Sequence, residues 1–452
     1  MSQTYAPPPP ATSEAHRPLR RVLLAVWAVL TLAALAFVAT IGTNAPYADE
    51  WEFVPALLGD EPAGEWLWRQ HNEHRMPLPR LVVLIYFKLT HDFRTGMFLQ
   101  IAMLSALALG LMRLAGQLRG RPHWADAFFP VSLLHIGHWE NFVMGYQVCF
   151  VLFATLSTLL AVVALRITRA NAFRLGALAA LLLMLLALTN GSGLVLVPPV
   201  GAWLVFVAVS LWRGGEKGKA ILLLALTALP VVYVAAYFQG YHRPEHHPPP
   251  STDAVRVATV TGEVLAMSLG MGLGAVWPLV AGGVIAVGVL TLARVLRGWK
   301  EPDQRLSGAG LIAVAAGVTG VALAIGVGRA GFEGWEDMGL WSRYSMLTWP
   351  LLGAAYLVWA KAGKKWVPIT LCVAAALAFP GNTGTGMVNG GQVRADYNAI
   401  AADLAAGLSA EQITDASDPR RAFPRSHHGA QTERALRAIP LLRRDRIGIF
   451  AR

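Results

Sequence analysis

Charge is what this 452-residue chain has least of. Asp, Glu, Lys and Arg together make up 14% of it, against roughly 25% in an ordinary soluble domain. With 55% hydrophobic residues and a mean hydropathy of +0.47, the deficit points to a bilayer. Acids are scarcer than bases, 27 against 38, for a net charge of +11. In a soluble chain that excess would suggest nucleic acid; in an apolar one it belongs to basic cytoplasmic loops, and no nucleic-acid partner is expected. Cysteine is nearly absent. Cys149 and Cys372 both lie inside apolar runs, so they read as small core residues rather than a disulfide. No repeat of 20–50 residues is visible, which removes the internal duplication common in transporters.

What the chain has instead is apolar runs near the roughly 20 residues a helix needs to cross a bilayer. The first, Val22–Ile41, follows Arg20 and Arg21. It is too long for a secretory signal core and has no obvious cleavage site, so it is expected to be a retained span. The expected fold is an all-α polytopic membrane protein with about eleven transmembrane helices. Residues 1–19 read as a disordered cytoplasmic tail. Residues 20–380 form the membrane domain, with 42–95 as a first outer loop carrying interfacial helices. Residues 381–452 form a small outward-facing helical tail, amphipathic over Asp396–Leu408. Met76–Thr90, broken by Pro77, Pro79, Arg80 and Lys88, reads as a helix lying on the membrane. Val257–Gly274 is apolar and Gly-rich with Glu263 inside it; as a re-entrant segment it keeps the charge pattern intact.

In this register the basic clusters share one side. Asp49, Glu50, Glu73, Asp92, Glu140, Glu245, Glu336 and Asp337 fall on the other, as the positive-inside rule requires. The N-terminus is then cytoplasmic and the polar motifs face outward. These are Asp49-Glu50-Trp51-Glu52, His71-Asn72-Glu73-His74-Arg75, His138-Trp139-Glu140-Asn141 with Gln147, the histidines 242, 246 and 247, Arg329, and Ser342-Arg343-Tyr344. A one-sided constellation beside the bilayer suits work on a membrane-borne substrate. A transporter would place ionisable residues mid-span.

These features resemble the GT-C superfamily of integral-membrane glycosyltransferases: an acidic motif directly after span one, an interfacial helix in the same loop, and about a dozen spans. The likeness covers roughly residues 20–380. It implies a bacterial inner-membrane enzyme moving a sugar from a polyprenyl-phosphate donor to a lipid, glycan or protein acceptor. Asp49, and next Glu50, are then the catalytic acids, since a carboxylate within reach can deprotonate an acceptor hydroxyl. His71, Asn72, Glu73, His74, Arg75, Glu140, Asn141 and Gln147 are candidate substrate contacts. Arg329, Arg343 and Tyr344 are candidates for the lipid phosphate, because a guanidinium fork binds two oxygens. No metal ligand set is assigned: His71-x-x-His74 is not a zinc-protease spacing and has no third ligand. A divalent cation, Mg or Mn, enters only as an optional cofactor. The rival readings are a flippase for a lipid-linked glycan and a non-catalytic polysaccharide-assembly protein.

Overall fold

The apolar runs do become helices. The computed structural model describes residues 16–245, 247–418, 423 and 430–451. Among them the only β pairing is a single bridge between His71 and His74. Eight helical stretches are long and apolar enough to cross a membrane: 17–41, 94–119, 145–166, 169–187, 217–237, 271–296, 302–329 and 366–405. The flanks of several, such as Val29, Leu32, Val232, Leu279 and Leu377, expose large apolar side chains. Such faces are stable against lipid and costly in water. The protein is therefore a multi-pass membrane protein.

In chain order the helices are α1 (Arg17–Ile41), α2 (Val54–Leu58), α3 (Ala63–Trp68), α4 (Pro77–Thr90), α5 (Arg94–Arg119), α6 (Phe128–Leu133), α7 (Trp139–Val143), α8 (Val148–Arg166), α9 (Ala172–Ala187) and α10 (Gly191–Val195). They continue with α11 (Val197–Arg213), α12 (Lys217–Tyr237), α13 (Ala254–Ala266), α14 (Trp277–Leu296), α15 (Pro302–Arg329), α16 (Ser345–Lys361), α17 (Trp366–Ala405), α18 (Ala410–Thr414) and α19 (Ala430–Arg444). Of the eight membrane-length stretches the one that contains α8 is the most buried, and α8 packs on α5, α9, α15 and α16. Helices α1 and α14 lie at the periphery.

Three segments depart from a simple span. Residues 124–147, whose first part, Trp124–Ile136, the sequence suggests is a short segment, break into short helical turns separated by bends. Their polar groups are met by protein. His138 sits between Ser345 Oγ at 2.7 Å and the Ser132 carbonyl at 3.0 Å, and Trp349 Nε1 donates to Ser132 Oγ at 2.9 Å. Irregular backbone is tolerated at membrane depth only when enclosed in this way. Helix α13 has 13 residues, which at 1.5 Å each rise about 20 Å, short of the roughly 30 Å hydrocarbon core. The boundary expected near residue 380 is absent: α17 runs 40 residues without interruption through Pro380, or about 60 Å. Asp396–Leu408 thus begins as its last turns rather than a separate element.

The structure is polarised. Lys361 Nζ donates to the Leu165 carbonyl at 2.7 Å, Arg166 reaches Gln117 at 3.3 Å, and the Arg169 amide bonds Asp303 at 2.8 Å. The basic ends of α5, α8, α9, α15 and α16 therefore meet at one end. The loops rich in acids gather at the other. Helix α4 buries Arg80, Val83 and Phe87 while exposing Leu81, Ile85 and Leu89, one apolar stripe at i, i+4 and i+8. Its outer face suits a membrane surface.

Glycines decide how closely α17 approaches the broken segment. A Cβ on Gly386 would lie 2.1 Å from the Ile136 carbonyl oxygen, whereas Gly384 faces open space. Gly386→Ala should cost about 1–3 kcal/mol through overpacking, and Gly384→Ala little. Thermal unfolding of both variants in one detergent checks this; equal midpoints would show that the close approach does not exist.

Candidate functional site

The acid-rich end is built on a single 3-10 turn, Ala48–Glu52. With three residues per turn, positions i and i+3 eclipse. Asp49 and Glu52 therefore share a face, and Glu50 points elsewhere. The turn is held by its own chemistry: Glu50 accepts from the Tyr47 amide at 3.0 Å and from the Tyr146 amide at 2.9 Å. Glu50 is buried. Burial pushes its carboxyl up to about 8, against the hydrogen bonds it accepts from the Tyr47, Tyr146 and Gly145 amides. It ties the first loop to the start of α8. That places it as a structural acid rather than a second catalytic one.

On the other face His71 lies between two acids. Its Nδ1 is 2.6 Å from Glu52 Oε2 and its Nε2 is 3.5 Å from Asp49 Oδ2. The ring packs edge-on against Phe53 and Tyr146. Burial alone would favour neutral imidazole. The charge of Glu52 and the hydrogen bonds that His71 donates to Asp49 and Glu52 prevail and raise His71 to about 9. Burial likewise pushes Asp49 up, but the His71 bond and charge, then Arg434 and Arg343, hold its carboxyl well below the usual carboxylate range. The result is an imidazolium between two carboxylates.

Arginines close the cluster. Arg434, from α19, reaches Asp49 Oδ1 at 3.3 Å and Glu52 Oε2 at 3.1 Å. Arg80 lies buried between Phe53 and Trp66 and reaches Glu52 Oε1 at 3.4 Å, while its fork bonds the Trp66 and Arg69 carbonyls. The C-terminal segment is held there by Trp51, which packs edge-on against Phe423 and Phe450. Helix α17 grips the same loop through the Tyr397 hydroxyl on the Pro46 carbonyl and Arg394 on Thr43 at 3.2 Å. The tail is thus part of the acid-rich end rather than a separate unit.

The remaining predicted residues form two neighbouring sets. In the His71–Arg75 segment, Asn72 takes a left-handed conformation at φ +46, which asparagine adopts more readily than most residues. That lets His71 and His74 exchange backbone bonds at 2.7 and 2.8 Å. Glu73 pairs with Arg329 at 2.5 Å and with His247 at 3.5 Å, and Tyr344 lies beside Arg329. Arg75 donates to the carbonyls of Trp68 at 3.0 Å and Gln239 at 2.9 Å, while its Nε is buried without a partner. His246 lies outside the described residues. In the second set, Glu140 accepts from Ser342 Oγ and the Arg343 amide, both at 3.0 Å, and from Arg343 Nη1 at 3.4 Å. Asn141 supports the same turn through the Ser342 and Arg343 carbonyls. The Arg343 guanidinium stacks on Trp341 at 3.7 Å.

Asp49 and Arg343 keep accessible surface, 30% and 24% of their side chains. Buried atoms without a partner border the same end: His74 Nδ1, Asn141 Oδ1 and Gln147 Oε1. No group of three His, Cys, Asp or Glu side chains among the described residues could hold a metal. Two functional groups escaped sequence reasoning. Glu52 was signalled by its i+3 spacing from Asp49, had the turn been read as 3-10. Arg434 carries no local signal.

Comparison with known proteins finds no matching family model, no similar curated protein and no similar solved structure.

The raised His71 value has a pH consequence. The folded protein keeps a proton that the unfolded chain releases near 6.5. The stabilisation is complete below that pH and is lost as pH rises through about 9. The unfolding midpoint should fall between pH 6.5 and 9.5 in the wild type and fall less in His71→Ala. NMR titration of the His71 ring reads the same quantity directly, and a midpoint near 6.5 would show that the acids do not clamp it.

Proposed function

We propose that the protein transfers a sugar from a polyprenyl-phosphate-linked donor to an acceptor hydroxyl at the membrane surface, with Asp49 as the base and Arg343 as the main phosphate ligand. The acid-rich end then faces outward in the inner membrane and the arginine-rich end faces the cytoplasm, as the positive-inside rule orients them. About eleven crossings accommodate this register. The observation that carries the reading is the meeting at one end of a part-exposed carboxylate and a part-exposed guanidinium whose charges are coupled.

The acceptor oxygen attacks the anomeric carbon and the bond from that carbon to the phosphate oxygen breaks. The electron pair leaves with the lipid phosphate, and the hydroxyl proton passes to Asp49. A carboxylate held low is a weak base, yet it serves here. In an oxocarbenium-like transition state the acceptor hydroxyl becomes acidic as its new bond forms, and carboxylates fill this role in sugar hydrolysis. Holding Asp49 ionised keeps it ready to accept. The leaving phosphate gains negative charge, which Arg343 meets with the nitrogens that Glu140 does not occupy, and Arg329 lies next along the wall through Tyr344. His74, Asn141 and Gln147 supply buried acceptors and donors for sugar hydroxyls. Trp341, already stacked on Arg343, offers an aromatic edge beside the phosphate.

Asp49→Asn keeps the size of the side chain and removes the base. Sugar transfer from a polyprenyl-phosphate donor should fall by about 10²–10⁴ when assayed below the unfolding midpoint, which itself drops because Asp49 also pairs with His71 and Arg434. Arg343→Ala removes one donor to the leaving group and should cost about 10²–10³ in rate. Full transfer in Asp49→Asn would remove it as the base. Movement of the intact lipid-linked sugar between leaflets without transfer would instead establish a flippase.

A further inference from the structure

We propose that a cleft between α1 and α5, at the arginine-rich end, binds one anionic phospholipid of the surrounding leaflet, its phosphate on Arg20 and Arg113. This site lies at the far end of the bundle from Asp49 and stands independently of the sugar-transfer reading. The cleft is a cavity of about 400 Å³ lined by residues that include Arg20, Leu23, Leu24, Met112, Arg113 and Gly116.

Its shape follows from how the two helices are joined. Deeper in the bundle they are pinned together, with Trp27 Nε1 donating to the Ser105 carbonyl at 2.9 Å and Thr31 Oγ1 2.8 Å from Ser105 Oγ. Toward the arginine-rich end the described residues show no such side-chain bond between α1 and α5, and the cavity opens. Gly116 and Gly120 keep α5 slim there, with no heavy atom closer than 3.9 Å to a Cβ built on either. Leucines and Met112 make the inner wall apolar, which suits an acyl chain.

The charge of the cleft is positive despite an acid in its lining. Asp126 is fully engaged: Arg119 bonds both of its oxygens at 2.7 and 3.2 Å, the His123 amide donates at 2.8 Å and the Tyr356 hydroxyl at 2.7 Å. That carboxylate neither repels a phosphate nor pairs with Arg20 or Arg113, which are exposed at the mouth. Two cations above an apolar slot between membrane helices match a lipid phosphate with its chain below. A second cavity at this end, about 290 Å³ beside α14, α15 and α16, differs: its Lys361 is committed to the Leu165 carbonyl.

The test uses the purified full chain in detergent, titrated with phosphatidylglycerol or phosphatidylcholine and read by native mass spectrometry. Phosphatidylglycerol should bind about 30-fold more tightly than phosphatidylcholine, from roughly 1 kcal/mol per cation near the headgroup. Arg20→Ala/Arg113→Ala should abolish that preference. Arg297→Ala/Lys300→Ala, an equal loss of exposed charge at the same end, should keep it. Met112→Trp, which fills the slot and leaves both cations, should weaken phosphatidylglycerol as well. Equal binding of the two lipids, equal losses in the two double variants, or displacement of bound lipid by millimolar glycerol phosphate would each overturn the proposal, the last by showing a site for free phosphate.

Discussion

A protonated imidazole between two carboxylates holds the acid-rich end together. Removing two carboxylates from water is expensive unless each finds a partner, and His71 serves both through its two nitrogens. The arrangement brings together segments distant in the chain. The Asp49–Glu52 turn, the His71–His74 bridge, helix α4 through Arg80 and helix α19 through Arg434 all end on the same pair of acids. Taken without His71, Asp49 and Glu52 would repel each other from one face of a 3-10 turn, and the arginines would have to satisfy them alone.

Much of the fold was legible because a membrane span is a local property. Length and apolarity of a single run decide it, so α1, α5, α8, α12, α14 and α15 can be read one at a time. That α4 is no full span was equally visible in Pro77, Pro79, Arg80 and Lys88, which break its apolar run, and the helix has 14 residues. The departures were not local. Residues 124–147 break because Ser345, Trp349 and α17 receive their polar groups, and none of those partners is nearby in sequence. A boundary was expected near residue 380, but neighbouring helices can re-satisfy the backbone group that Pro380 frees, and α17 continues.

The candidate site was legible in part. The polar motifs were found by their density against an apolar background, and the structure brings most of them to one end. Their individual tasks were hidden by geometry. Asp49 and Glu50 are neighbours in sequence, yet a 3-10 turn sends one to the surface and the other into the bundle. Asn72 looks like a substrate contact and proves to be a backbone device. Arg75 looks like a substrate contact, and its two terminal nitrogens donate to main-chain carbonyls. Arg434 was out of reach of sequence reasoning, since nothing near it indicates that it meets Asp49.

The pairing of Asp49 with Arg434 spans 385 positions, and this has a consequence for biosynthesis. The first acids leave the ribosome when most of the bundle does not yet exist. The guanidinium that caps them arrives only after α17 has been made and the chain beyond it has folded back onto Trp51. During that interval the nascent protein has its membrane helices but an unfinished acidic end, open to whatever cations or chaperones the compartment offers. Chains cut short after α17 would retain every membrane-length helix among the described residues and lack Arg434, the rings that pack on Trp51 and the Arg444–Asp60 pair.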